Sequence, residues 1–224
     1  MSKYAVSERM CVGMRKRIVA FLMAVVSVCA LLTSFAGASG KKLIALTFDD
    51  GPGRYTEGLL DGLKERDVKV TFFMQGINAE LYPSIVKRAY NEGHQIANHT
   101  YNHPQLTSLD DNEVAQQVKR TNQILTDAIG IKNRYLLRPP YGAYNKRVMG
   151  AAGTAGILWS VDPQDWKDRN SDIVYKRIIN NAYDGAVILV HDIHSTTIPG
   201  ALKAIDYLEE HGYEFVTVEE ILFD

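Results

Sequence analysis

Thiol chemistry is almost missing from this sequence, which has two cysteines, Cys11 and Cys29, in 224 residues. Both fall in an N-terminal stretch that reads as a targeting leader, so the remaining chain of about 186 residues carries no thiol. That excludes a disulfide framework, a thiolate zinc site and a cysteine nucleophile. An excess of one charge sign is missing as well: 25 Lys and Arg stand against 26 Asp and Glu, a formal net charge of -1. Such a balance argues for neither a nucleic-acid partner nor an anionic membrane surface, and it suits an uncharged ligand. No internal repeat or low-complexity linker interrupts the chain. A content of 46% hydrophobic and 23% charged residues fits one globular domain with a sizeable core.

The long apolar run that does exist is N-terminal. Met14-Arg15-Lys16-Arg17 is a compact basic cluster, residues 18–32 form an apolar segment of about 15 residues, and Ala36-Gly37-Ala38 offers small residues where signal peptidase cuts. Residues 1–38 are therefore expected to be a signal peptide. Left uncleaved they become a signal anchor, because residues 18–38 are nearly long enough to span a bilayer. The charged region before the run is long, which allows translation to begin at Met14. Bulky Val28 ahead of Cys29 argues against lipoprotein processing. Residues 39–224 are expected to form a single domain, monomeric and secreted or extracytoplasmic, with membrane contact only through an uncleaved leader.

From Lys41 onward, strand-like apolar runs alternate with amphipathic helical stretches, the pattern of an α/β fold with a parallel sheet. Strands are expected at residues 42–48, 68–74, 94–97, 135–137, 156–161, 186–190 and 214–218. Helices are expected at 55–66, 83–91, 110–129, 146–152, 172–181 and 199–211, with Gly130 stopping the longest. About seven strand–helix units can close into a barrel smaller than the eight-unit one of ~250 residues, and an open doubly wound sheet is the alternative.

The first strand ends in Asp49 and Asp50, followed by the turn formers Gly51 and Pro52. Parallel sheets carry their functional groups at the carboxyl ends of strands. Two adjacent carboxylates there imply a bound cation or a raised pKa. After the third strand, His99 and His103 bracket three residues, a spacing at which two imidazoles can face one cation. With Asp50 they make a two-histidine, one-carboxylate set that leaves positions open for water and substrate, as a catalytic metal site requires. The natural occupant is one divalent ion bound by nitrogen and oxygen, zinc first, with cobalt, nickel or iron as alternatives. Arg138-Pro139-Pro140-Tyr141-Gly142, Asp162-Pro163-Gln164-Asp165-Trp166 and the Leu189-Val190-His191-Asp192 strand end supply three further polar clusters at strand exits. His191 is a candidate proton donor or a third imidazole ligand. Tyr55, Tyr101, Tyr141 and Trp166 are aromatics that could stack on sugar rings or simply pack. His94 is expected to be structural and His211 a helix C-terminal cap, and His194 has no assigned role.

Taken together, the segments Thr47 to Pro52, His99 to His103, Arg138 to Gly142, Asp162 to Trp166 and Leu189 to Asp192 resemble, in order, the five motifs of the polysaccharide deacetylase family. This is the NodB-homology domain, or carbohydrate esterase family 4, and the likeness is strongest to its peptidoglycan N-acetylglucosamine deacetylases. The resemblance spans Lys42 to the C-terminus. It implies a distorted (β/α)7 barrel that hydrolyses acetyl groups from the N-acetylglucosamine of peptidoglycan or a chitin-like glycan. It also implies Asp50, His99 and His103 as metal ligands, Asp49 as general base and His191 as general acid. The Tyr141 amide would help bind the oxyanion, Arg138 would orient Asp49, and Asp165 would orient His191. Leu189 would line the acetyl pocket, with Tyr141 and Trp166 beside the sugar. An O-acetyl xylan esterase of the same family and a catalytically silent glycan-binding domain are the alternatives.

Overall fold

The computed structural model describes residues 40–223, so the leader expected at 1–38 lies outside the described residues. Among the described residues five strands are formed: β1 (Lys42–Asp49), β2 (Thr71–Met74), β3 (Gln95–Asn98), β4 (Ala186–His191) and β5 (Tyr213–Phe215). All pairings are parallel, in the order β3-β2-β1-β4. Ile44 pairs with both Ala186 and Phe215, so β5 lies against the first half of β1 on the edge opposite β4. Isolated parallel bridges from Asn98 to Leu137, Leu137 to Gly156 and Val161 to Ile188 continue the ring from β3 round to β4. The result is an α/β barrel of seven strand positions, two of them reduced to bridges.

Those two positions correct the expected strands at 135–137 and 156–161. Pro139 and Pro140 end the first after three residues, because proline has no N–H for the ladder. Single bonds remain, such as Asn98 N–H to Leu136 O at 2.8 Å and Leu189 N–H to Val161 O at 2.9 Å. The strand expected at 68–74 starts only at Thr71, and the one expected at 214–218 is Tyr213–Phe215, with Val218 beginning a helix.

The helices are α1 (Thr56–Glu65), α2 (Gly76–Leu81), α3 (Pro83–Asn91), α4 (Asp111–Ile129), α5 (Lys146–Ala152), α6 (Asp165–Asp168), α7 (Ser171–Asn181), α8 (Thr197–Glu210) and α9 (Val218–Phe223). Helix α4 opens on a reciprocal cap, with Asp110 accepting from the Glu113 amide and Glu113 from the Asp110 amide, and it closes on Gly130 at φ 85°. His211 caps α8 as expected, its Nδ1 bonded to the Tyr207 carbonyl.

Side-chain alternation along the strands positions everything that follows. Ile44, Leu46 and Phe48 of β1 point outward with Phe72, Met74, Ile96, Ile188 and Val190, and pack under Leu59, Leu60, Leu63, Ile205 and Leu208 of the helices. The opposite parity points into the barrel, where Ala45, Phe73 and Ala97 form a small inner cluster. Asp49, Leu189 and His191 share that inward parity. The same alternation that buries the aliphatic residues of β1 and β4 against helices thus delivers a carboxylate and an imidazole to the inner rim.

Candidate active site

Asp49 and His191 are register partners on the adjacent parallel strands β1 and β4. They open into a cleft of ≈ 440 Å³ lined by Asp49, Asp50, His99, His103, Tyr141, Trp159, Asp162, Trp166, Leu189 and His191. All three expected metal ligands are here, and every other expected site residue either lines the cleft or touches one that does.

Asp49 is buried and fixed from behind. One Arg138 guanidinium nitrogen, Nη1, donates to Asp49 Oδ1 and to Thr47 Oγ1, both at 2.7 Å, and Nη2 donates to the Leu158 carbonyl at 3.1 Å. Arg138 is 0% exposed and lies 3.9 Å from the Phe73 ring centroid. A buried guanidinium is tolerable only with an opposite charge, and Asp49 supplies it. Burial pulls the Arg138 pKa down, with Asp49 opposing it. With Oδ1 so occupied, Asp49 presents Oδ2 to the cleft, 3.7 Å from His99 Nε2.

Asp50, His99 and His103 each offer a ligand atom within 4.8 Å of the others. Asp50 Oδ1 is 3.6 Å from both His99 Nε2 and His103 Nε2. That is too long for hydrogen bonds but close to the separation of about 3.4 Å between ligands held at ~2.1 Å around a tetrahedral ion. His99 Nδ1–H donates to the Arg138 carbonyl at 2.7 Å, which turns Nε2 toward the cluster and selects the tautomer that a ligand needs. Gln75 donates to Asp50 Oδ1 at 2.7 Å, and Asn78 to the Asp50 carbonyl at 2.7 Å. Burial would raise the Asp50 pKa, yet His99, His191, Gln75 and His103 hold it below the usual carboxylate range. Burial and the neighbouring His99 pull His103 down, favouring the neutral imidazole that a ligand must be. The donor set therefore fits a divalent cation.

Much of this rim is made of strained backbone. Asp50 (φ 75°), Thr100 (66°), His103 (62°), Tyr141 (60°) and Gln164 (55°) are non-glycine residues in the left-handed region, at about 1–3 kcal/mol each. Local bonds compensate: Asn98 Oδ1 accepts from Thr100 N at 2.7 Å, Thr100 Oγ1 from His103 N at 3.2 Å, and Asp162 Oδ1 from Gln164 N at 2.8 Å. In the Pro140–Gly142 turn the backbone bonds come from Gly142 and Ala143, to Pro139 and Pro140. The Tyr141 amide is not among these donors, and the Tyr141 side chain is 68% exposed.

Asp165 is fully buried and accepts three bonds. His191 Nδ1–H reaches Oδ1 at 2.8 Å, while the His191 amide and the Thr197 hydroxyl reach Oδ2 at 2.9 and 2.6 Å. Burial would raise the Asp165 pKa, and His191 and Thr197 bring it below the usual range. For His191, burial alone would lower the pKa. The bond and charge of Asp165, with the charges of Asp49 and Asp50, outweigh it and push the value up to about 9. The imidazolium keeps Nε2–H free toward the cleft.

Several supporting residues escaped sequence reasoning. Thr47 holds Arg138, Gln75 holds Asp50, Thr197 holds Asp165, and Trp159 lines the cleft beside Asp162, which the sequence placed in a polar cluster without a role. Gln75 directly follows β2, so the strand-end rule that picked Asp50 and His99 would have reached it. Thr47 carries the inward parity of Asp49. His94 is structural as expected: it is buried, accepts from Val70 N at 3.3 Å, and burial lowers its pKa to about 4. His194 takes a bond from Arg169 at 2.6 Å.

Comparison with known proteins gives concordant results. The family described as "Polysaccharide deacetylase" matches residues 36–158. Peptidoglycan-N-acetylglucosamine deacetylase PgdA of Listeria monocytogenes is 46% identical over 185 residues, 82% of this chain and 40% of its own length. Peptidoglycan-N-acetylmuramic acid deacetylase PdaC of Bacillus subtilis is 40% identical over 182 residues, 81% of this chain and 39% of its own. The chain thus spans about two fifths of the length of these curated relatives. A solved structure of peptidoglycan deacetylase PdaC from Bacillus subtilis superposes with a TM-score of 0.79 at 40% identity, covering 82% of this chain and 91% of that one.

Proposed function

The chain belongs to the polysaccharide deacetylase family, and from that premise we propose that it hydrolyses acetyl groups from N-acetylated sugars of a cell-wall glycan, the N-acetylglucosamine of peptidoglycan first. One observation carries the reading: a two-histidine, one-carboxylate cluster shares a cleft with a buried carboxylate and an Asp165-bonded imidazole that are register partners.

Asp50, His99 and His103 would hold the ion, and zinc suits their nitrogen and oxygen donors. When bound, it supplies a Lewis acid for the acetamide carbonyl and makes a nearby water more acidic. Asp49 Oδ2 takes a proton from that water as its oxygen bonds to the carbonyl carbon, while Arg138 keeps Oδ1 occupied and the carboxylate in place. The Tyr141 N–H donates to the developing oxyanion. His191 Nε2–H protonates the amide nitrogen as the C–N bond breaks, releasing acetate and a sugar amine. Leu189 bounds the space for the acetyl methyl, and Tyr141 and Trp166 flank the sugar. His191, held by Asp165, is placed to protonate an amine leaving group, which must be protonated to depart, and the similarity to peptidoglycan deacetylases supports N-deacetylation over xylan O-deacetylation.

Among the described residues no helix is long and apolar enough to cross a membrane. Export would rest on the leader at residues 1–38, cleaved or kept as an anchor. The test is acetate release by the purified protein from N-acetylglucosamine oligomers, peptidoglycan and acetylated xylan, with and without chelator. Chelator-sensitive release from the N-acetylated substrates supports the reading. Release from xylan alone moves the assignment to the esterase, and no release from any substrate leaves a glycan-binding domain.

A further inference from the structure

Asp192 is the one fully buried carboxylate at the rim for which the proposed chemistry has no use. It is 0% exposed, follows His191 directly, and its Oδ1 has no hydrogen-bond partner among the described residues. Its Oδ2 accepts from the Thr56 hydroxyl at 2.5 Å, and Thr56 Oγ1 in turn accepts from the Gly53 amide at 2.8 Å. Thr56 is itself fully buried. A Cβ built on Gly51 would overlap both carboxylate oxygens of Asp192, so the side chain rests directly on the Gly51 backbone. Only glycine permits this approach.

The location matters more than the bonds. The paired register of β1 and β4 ends at Asp49 and His191, and beyond it no ladder joins the two strand ends. The next residues are Asp50, a metal-cluster residue at φ 75°, and the Gly51-Pro52-Gly53 turn. Gln75 and Asn78 hold Asp50 from the β2 side. From the β4 side the polar contacts are those of Asp192, at Gly51 directly and at Gly53 through Thr56, while Ile193 packs beside Gly53. We propose that Asp192 is a positioning residue that, with Thr56, clamps the Asp50-bearing turn to the strand end carrying His191, so that the cation cluster and the proton donor keep a fixed separation. This inference rests on the metal site of the proposed function.

The test measures Zn²⁺ affinity of the purified protein by competition with a chromogenic chelator, beside kcat and KM for acetate release and a thermal melt of the metal-free form. Thr56→Val removes the hydroxyl and keeps the shape, and Asp192→Ala removes the carboxylate. Both are expected to weaken Zn²⁺ binding about tenfold or more, as loss of a residue that orients a ligand does, and to lower kcat with KM little changed. Thr56→Ser and Asp192→Asn retain the hydroxyl and the acceptor and are expected to stay within about threefold of the parent. A folded Thr56→Val with parental Zn²⁺ affinity and kcat overturns the clamp, and it decides the matter alone if Asp192→Ala does not fold. Because affinity is read separately, a parent that binds Zn²⁺ but releases no acetate refutes the proposed function and leaves the clamp to the affinity series. A parent that binds no Zn²⁺ overturns both.

Discussion

Replacing Asp165 with asparagine isolates the part of the site that should set its alkaline limit. The Asp165 carboxylate takes both the Nδ1–H and the amide of His191, and it is fully buried, so water does not dilute its effect. The rise of His191 from 6.5 to about 9 corresponds to about 3 kcal/mol of preference for the imidazolium. A bound dication offsets the attraction of Asp49 and Asp50 but leaves the Asp165 bond intact. With asparagine in place the charge is lost while burial, which opposes protonation, remains, so the His191 pKa should fall to 6.5 or below. At pH 8 the protonated fraction would drop from most of the molecules to about one in thirty or fewer. In kcat/KM profiles for acetate release from an N-acetylglucosamine oligomer, the alkaline limb should move down by about 2 pH units. The same group carries a stability signature in the metal-free protein. A folded-state pKa raised above the unfolded value stabilises fully below pH 6.5, and the contribution disappears as pH climbs through about 9. Asp165→Asn should flatten that part of the melting-temperature curve. A folded variant whose alkaline limb stays within half a pH unit of the parent would refute the argument that Asp165 makes His191 the acid.

Three further outcomes are expected. Arg138→Met leaves Asp49 buried without its counter-charge and should destabilise the fold by about 3–5 kcal/mol, read by urea denaturation. Asp49→Asn keeps the bond to Arg138 but removes the proton acceptor, so acetate release should fall at least 100-fold while Zn²⁺ affinity changes by less than about threefold, read by chelator competition. Gly51→Ala drives a methyl into the Asp192 carboxylate and should destabilise the protein by about 1–3 kcal/mol in thermal melts and weaken Zn²⁺ binding with it.

The chemistry of this chain was more legible than its framework, for a physical reason. Ligand and catalytic side chains must be specific residue types at strand exits, and Asp50, His99 and His191 announce themselves there however the sheet is completed, while the roles of Arg138 and Asp165 come from the family resemblance. Barrel strands need only a few ladder bonds. Residues 135–137 and 156–161 read as strands by their apolar content but form isolated bridges: Pro139 and Pro140 end the first, and in the second Ser160 Oγ takes the Val187 amide and Arg138 takes the Leu158 carbonyl. Helix α2 went unforeseen. Six residues beginning with glycine carry too little periodicity to be seen, although α2 bears Asn78 and follows Gln75, both of which hold Asp50. Thr56 and Thr197 escaped because a buried threonine hydroxyl has no sequence signal, and Thr47 had only its strand parity; each acts through a partner across the fold, Asp192, Asp165 or Arg138.

The most direct test of the central claim counts divalent metal in the purified protein and follows acetate release in the same samples, for the parent and for His103→Ala. The account predicts one tightly held ion per chain in the parent, release that is lost on chelation and restored by Zn²⁺, and loss of both in the variant. Full acetate release by a metal-free parent, or by His103→Ala at the parental rate, would contradict it.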